Sequence, residues 1–209
     1  MKPIADSETM LIETAKRGDA DAFNLLVLKY QDLLYRISLR IVQEECGAED
    51  AVQNAFIQAF QNIRSFRGGS FKSWLARVAV NASYDELRRM RRHDSVPLEQ
   101  FNQDGEEIES PVWMTDLSAG PQELAESREL QRLMQICIRG LIPDYRLMVI
   151  LVDIEGMSYE EAARVARVPV GTVKSRLARA RMQLRIALKK FESLLPPAYR
   201  VEMPASTFV

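Results

Sequence analysis

The stretch SYEEAARVARVPVGTVKSRLARAR, from Ser158 to Arg181, constrains this chain most. It carries the signals of two short helices joined by a tight turn. Ser158 with Glu161 forms S-x-x-E, a capping box that predicts a helix start at Tyr159. Ala162, Ala163 and Ala166 are small enough for a second helix to cross closely. Pro169, within Val168-Pro169-Val170-Gly171, has no N–H to donate, and its fixed φ suits a helix start. The second helix then places Val173, Leu177, Ala180 and Leu184 on one apolar stripe. Thr172, Ser175, Ala178 and Arg179 fall opposite, with Lys174 and Arg176 on the flanks. Such a face suits the major groove of DNA. From Arg164 to Lys190 there are nine Lys/Arg and no Asp/Glu. A merely solvated face would mix signs to support pairs one helical turn apart.

The whole chain has no such bias. Its 209 residues carry a net charge of −1, so a nucleic-acid role must rest on segregated charge. With 47% hydrophobic residues it can bury one large or two small cores. Cys46 and Cys137 lack metal-ligand spacing and read as core thiols in helical surroundings, and His93 is the single histidine. No metal or cofactor is expected. No apolar run is long enough to span a bilayer, and the N-terminus lacks a signal-peptide core, so no membrane insertion and a reduced, cytoplasmic setting are expected.

The pattern is helical throughout. Residues 7–17 form a first helix stopped by Gly18. Asp19 and Asp21 open a longer one carrying Phe23, Leu26, Tyr30, Leu33, Leu34, Ile37 and Ile41, with a break at Cys46-Gly47. A third runs over residues 48–63 with Val52, Ala55, Phe56, Ala59, Phe60 and Ile63 inward and Asp50, Gln53, Asn54 and Gln58 outward. After the Gly-rich loop Ser65–Ser70, a helix carrying Phe71, Trp74, Leu75, Val78 and Ala82 ends in Arg88-Arg89-Met90-Arg91-Arg92-His93. From Asp94 to Glu129 there are ten Asp/Glu and one Arg, with scattered Pro and Gly. This predicts a flexible acidic linker over 94–121 between helical domains at 1–93 and 122–195, followed by a short tail at 196–209. The second domain opens with a helix through Leu130, Leu133, Met134, Cys137 and Ile138, then a buried helix over 144–154.

The loop after Ile63 joins aromatics to basic side chains. Phe66 and Trp74 offer ring faces to unstacked bases, although Phe71 and Trp74 at helical spacing also suit a core. Asn81 can read a base edge, and Arg77, Arg88, Arg89, Arg91 and Arg92 can meet phosphates.

These residues resemble the extracytoplasmic-function (ECF, group 4) σ factors of the bacterial σ70 family. The likeness rests on D-A-F at Asp21–Phe23, E-D-A-V-Q-N-A-F at Glu49–Phe56, S-F-R-G-G-S-F-K-S-W-L at Ser65–Leu75 and R-V-A-V-N at Arg77–Asn81. It continues through L-I-P-D at Leu141–Asp144, E-G-M-S-Y-E-E-A-A at Glu155–Ala163 and V-P-V-G-T-V-K-S-R-L-A-R-A-R at Val168–Arg181. It implies a σ2-like N-terminal domain and a σ4-like helix-turn-helix domain. The implied partners are promoter DNA and core RNA polymerase, through its β′ clamp helices and β flap; an anti-σ factor is left open. Asp50, Gln53, Asn54 and Phe56 would meet the clamp helices. Phe66, Arg67, Lys72, Trp74, Arg77, Asn81 and Arg88 would serve the −10 element, and Thr172, Lys174, Ser175, Arg176 and Arg179 the −35 element. Three positions depart from the family pattern: Asn54 where an acid is usual, Gly69 where an acid stands in the loop, and Lys174 where Arg is frequent.

The implied function is that of an alternative σ factor supplying promoter specificity and strand opening, with no catalytic residues of its own. The rival reading is a stand-alone helix-turn-helix regulator, which requires a dimer face and a palindromic site. The sequence shows no coiled coil or obvious dimer face.

Overall fold

The computed structural model describes residues 4–93, 130 and 132–191, and the regular elements among them are all helical. They are α1 (Ile4–Lys16), α2 (Ala20–Val42), α3 (Glu45–Asn62), a 3-10 turn (Ile63–Ser65), α4 (Phe71–His93) and α5 (132–139). Then come α6 (Pro143–Met148), a π-helical turn (Val149–Ile154), α7 (Tyr159–Ala166) and α8 (Val170–Lys189). The linker expected at 94–121, the helix start near 122 and the tail at 196–209 lie outside the described residues. Contacts divide the chain into two compact units; the described parts are 4–93 with 147–177, and 130, 132–146 with 178–191.

In the first unit α2 is the central strut, touching α1, α3 and α4. The Asp19 carboxylate caps it by accepting from the Ala22 N–H at 2.9 Å. Phe23, Leu26, Tyr30, Leu33, Leu34, Ile37 and Ile41 are all buried, as their spacing predicts. Each fully buried side chain among them contributes about 1.5–3 kcal/mol by leaving water. The break after α2 differs from expectation. It falls at Gln43, left-handed at φ 67, and Glu44, whose carboxylate accepts from the Cys46 and Gly47 N–H groups. Cys46 and Gly47 therefore belong to the first turn of α3. Gly47 is required there by space: a Cβ would sit 2.8 Å from Glu44 Oε2 and 2.9 Å from Val42 Cγ1. Cys46 is exposed rather than a core thiol, because its position beside the cap faces outward.

α3 buries a narrower stripe than the sequence suggests. Ala48, Ala51, Ala55 and Ala59 are wholly buried and let α2 and α4 approach closely. Val52 and Phe56, one residue further round, are half-buried. Phe60 is 40% exposed even though its ring lies 5.0 Å from that of Phe23. On α4, Phe71, Leu75, Ala76, Ala79, Val80 and Ala82 are buried. The buried Ser83 Oγ is hydrogen-bonded to the Ala79 carbonyl at 2.8 Å and to Ser38 Oγ at 3.0 Å, satisfying hydroxyls inside the α2–α4 contact.

The helix expected over 144–154 is α-helical only to Met148. Met148, Val149, Ile150 and Leu151 are four consecutive buried residues, so this segment is enclosed on more than one side. Its wider π turn closes with the Glu155 N–H donating to the Ile150 carbonyl at 2.9 Å. The capping box is present as predicted: Ser158 Oγ accepts from the Glu161 N–H at 3.2 Å, and a Glu161 carboxylate oxygen accepts from the Ser158 N–H at 3.1 Å. Arg167, left-handed at φ 55, ends α7, and Pro169 precedes α8.

In the second unit Leu133, Cys137, Ile138 and Leu141 are buried, and burial pushes the Cys137 thiol up. Gly140 donates to the Ile136 carbonyl at 3.1 Å as α5 ends.

Candidate nucleic-acid interface

The second hairpin helix folds as its stripe demands. Val173, Leu177, Ala180 and Leu184 are 0%, 2%, 0% and 8% exposed, which turns the opposite face of α8 outward. Lys174, Ser175 and Arg179 are exposed, and Thr172 and Arg176 are half-buried. Ser175 Oγ turns back to the Thr172 carbonyl at 3.1 Å, so its hydroxyl proton is already engaged. The Lys174 ammonium lies 5.7 Å from the centre of the Tyr159 ring, at the start of α7. This cation–π contact steers the lysine stem while leaving the ammonium able to reach an acceptor.

The loop before α4 is built by its neighbours. Gly68 and Gly69 hold φ of 106° and 88° with open space around them, so conformation rather than room asks for glycine there. That explains Gly69: an acidic side chain at this left-handed position would be strained. Ser70 caps α4, accepting from the Ser73 N–H at 3.2 Å. Phe66 is only 7% exposed. Its ring meets Phe71 edge-on at 5.2 Å and Trp74 at 5.7 Å, with Phe71 and Trp74 stacked at 5.4 Å. Phe66 thus faces the aromatic cluster in this structure instead of standing free in the loop. Trp74, Lys72 and Arg77 are half-buried, and Arg67 and Asn81 are exposed. Arg88 is exposed and ion-paired with Asp85 one turn earlier.

Two residues missed in the sequence hold this loop. The Lys16 ammonium lies 5.4 Å from the centre of the Phe66 ring, and Arg64 Nε donates to the Lys16 carbonyl at 3.1 Å. Both contacts join residues 48 or more apart in sequence, which periodicity does not register. Glu161, legible in the sequence only as the cap of α7, also holds the loop by accepting from Ser70 Oγ at 3.1 Å. Burial raises the Glu161 carboxyl, but the Ser158 backbone, the Ser70 hydroxyl and Lys72 outweigh it and leave it below the usual range.

On α3, Asp50, Gln53 and Asn54 are exposed and Phe56 is half-buried at the edge of that face. Asp50 is held by Arg89 Nη2 at 2.8 Å, and Arg89 also grips Glu86. No group of three or more His, Cys, Asp or Glu suited to a metal occurs among the described residues, and no described helix is long and apolar enough to cross a membrane.

Comparison with known proteins decides the family. The Sigma-70 region 2 family matches residues 26–93, and the Sigma-70 region 4 family matches residues 131–184. The chain belongs to the ECF σ factors of the σ70 family. The RNA polymerase sigma-H factor of Pseudomonas aeruginosa is 36% identical over 187 residues, covering 88% of this chain and 95% of the relative. The ECF RNA polymerase sigma-E factor of Escherichia coli K12 is 38% identical over 177 residues, covering 84% and 91%. Among solved structures, CnrH in complex with the cytosolic domain of CnrY is similar at 25% identity and a TM-score of 0.63, covering 88% of this chain and 98% of that one. The σ factor RpoE from Bartonella quintana, solved with the anti-σ factor NepR, is similar at 27% identity and a TM-score of 0.58, covering 80% and 96%. This σ factor directs transcription initiation by RNA polymerase. As a family, σ factors are DNA-binding initiation factors rather than enzymes.

Proposed function

We infer that this σ factor divides promoter recognition between its two family regions. Residues 131–184 grip the upstream duplex, with Thr172, Lys174, Ser175, Arg176 and Arg179 meeting the −35 element. Residues 26–93 seat on the β′ clamp helices through Asp50, Gln53, Asn54 and Phe56 and act at the −10 element. There Phe66 or its aromatic neighbours receive an unstacked base, Asn81 reads an edge, and Arg67, Lys72, Arg77 and Arg88 hold the strand. The observation that carries this reading is the outer face of α8, which bears basic and short polar side chains within a 27-residue stretch free of acids. Duplex opening costs about 1.4 kcal/mol per stacked step. Capture of a base by aromatic rings returns about 1–3 kcal/mol.

The site of action is the cytoplasm, where RNA polymerase works. The partners seen with CnrH and with RpoE support an anti-σ partner for this chain as well. An operator-binding regulator fits less well, since it needs no region 2. The test separates the two grips. Arg179→Ala should weaken binding to −35 duplex, while Phe66→Ala should slow open-complex formation and leave −35 binding near wild type. Equal losses in both assays for both variants would overturn the division.

A further inference from the structure

The basic run that closes α4 does not act as one patch. By the 3.6-residue period, Arg88, Arg91 and Arg92 share one side of the helix and Arg89 falls to one side of them. Arg89 turns instead to two carboxylates. Its Nε donates to Glu86 Oε2 at 2.9 Å and its Nη2 to Glu86 Oε1 at 2.7 Å. The same Nη2 donates to Asp50 Oδ2, across on α3, at 2.8 Å. The two helices are close here. A Cβ on Gly47, one turn before Asp50, would sit 3.2 Å from the sulfur of Met90, the neighbour of Arg89.

The two ends of this bridge differ in kind. The Glu86 side chain is 5% exposed, so its carboxylate requires a cation, and taking that cation away would leave a buried charge uncompensated. The Asp50 and Arg89 side chains are 52% and 59% exposed, and an ion pair so open to water adds little to stability. Stability therefore accounts for the Glu86 end and not for the Asp50 end. What the Asp50 end supplies is geometry. A guanidinium gripping a buried carboxylate through two nitrogens is fixed in place. Its contact to Oδ2 then fixes the Asp50 carboxylate and leaves Oδ1 for a donor on a partner. A side chain ordered beforehand loses less freedom when a partner docks on it.

We propose that Arg89 is a positioning residue for polymerase binding: anchored on Glu86, it holds the Asp50 carboxylate in the orientation that core RNA polymerase takes up, and it is not a phosphate contact. This rests on the assignment of Asp50 to the β′ clamp helices made above.

The test is titration of the labelled full chain with purified core polymerase. Arg89→Lys keeps a cation for the buried Glu86 but lacks the fork that spans two carboxylates. It should melt near the wild-type temperature and bind core about two- to tenfold more weakly, the effect of one side chain left to be ordered on binding. Asp50→Asn should lose at least as much, and Arg89→Lys should then add nothing in the Asp50→Asn background. Wild-type affinity for Arg89→Lys beside an impaired Asp50→Asn would overturn the positioning role and leave the clamp assignment standing. The same loss in both backgrounds would also overturn it, because Arg89 would then act without Asp50 or only through the fold. Undiminished binding by Asp50→Asn would refute the clamp assignment, and the positioning role with it. A last arm concerns DNA. In the holoenzyme, Arg89→Gln should leave the salt dependence of −10 strand binding as it is; a slope shallower by about 0.7, one single-strand phosphate, would make Arg89 a DNA contact and contradict the proposal.

Discussion

Phe66 answers two demands at once. It is buried against Phe71 and Trp74 with the Lys16 ammonium near its ring, and it sits in the loop proposed above to receive a base. Phe66→Ala should therefore cost about 3 kcal/mol or more in urea unfolding, as other buried-aromatic truncations do. Phe66→Leu separates the demands, because it keeps apolar volume and loses the π face. It should cost less than about 1.5 kcal/mol and still slow open-complex formation. Wild-type opening by the leucine variant would show that the ring serves only packing. Glu8 makes a second residue-scale case. Burial alone would raise its carboxyl, but the Tyr30 hydroxyl and Lys29 outweigh that and hold it below the ordinary range. A depressed folded value means this α1–α2 tie contributes fully above the unfolded pKa and is lost as pH falls through the folded one. Glu8→Gln should flatten the acid limb of a stability–pH curve. An unaltered limb would mean that Glu8 is not part of the acid response.

Among the elements, the α7–α8 hairpin was the most legible in the sequence. Its capping box, the Pro169 break and all four residues of the α8 stripe stand where period and turn chemistry put them. Ser158→Ala should cost about 1 kcal/mol of unfolding free energy, the usual worth of such a cap. The break between α2 and α3 was misplaced because a glycine usually stops a helix. Gly47 instead makes room inside one, and the stop comes from Gln43 and the Glu44 side chain. The α3 stripe was read too broadly because alanines carry little weight in a hydrophobic pattern, yet here they set the closeness of packing. On α8, Lys174→Arg offers a planar fork in place of a point charge. It should sharpen discrimination among −35 variants in competition binding. An unchanged preference profile would move the reading face elsewhere on the helix.

At the scale of the whole molecule, charge segregation carries the account. A net charge of −1 conceals an acid-free stretch from Arg164 to Lys190 and a run of ten acids from Asp94 to Glu129. Both were visible in the sequence, as was the family likeness. What it hid were ties across long separations, Lys16 to Phe66, Ser70 to Glu161 and Arg36 to Glu155, since no local period links such partners. The central claim is that the chain confers promoter specificity on RNA polymerase through these two regions. The most direct measurement mixes the purified chain with core polymerase and fragmented genomic DNA and maps transcript starts. The account predicts starts at a discrete set of sites sharing one −35 and −10 pair, lost when the chain is omitted. Starts identical with and without the chain would contradict it.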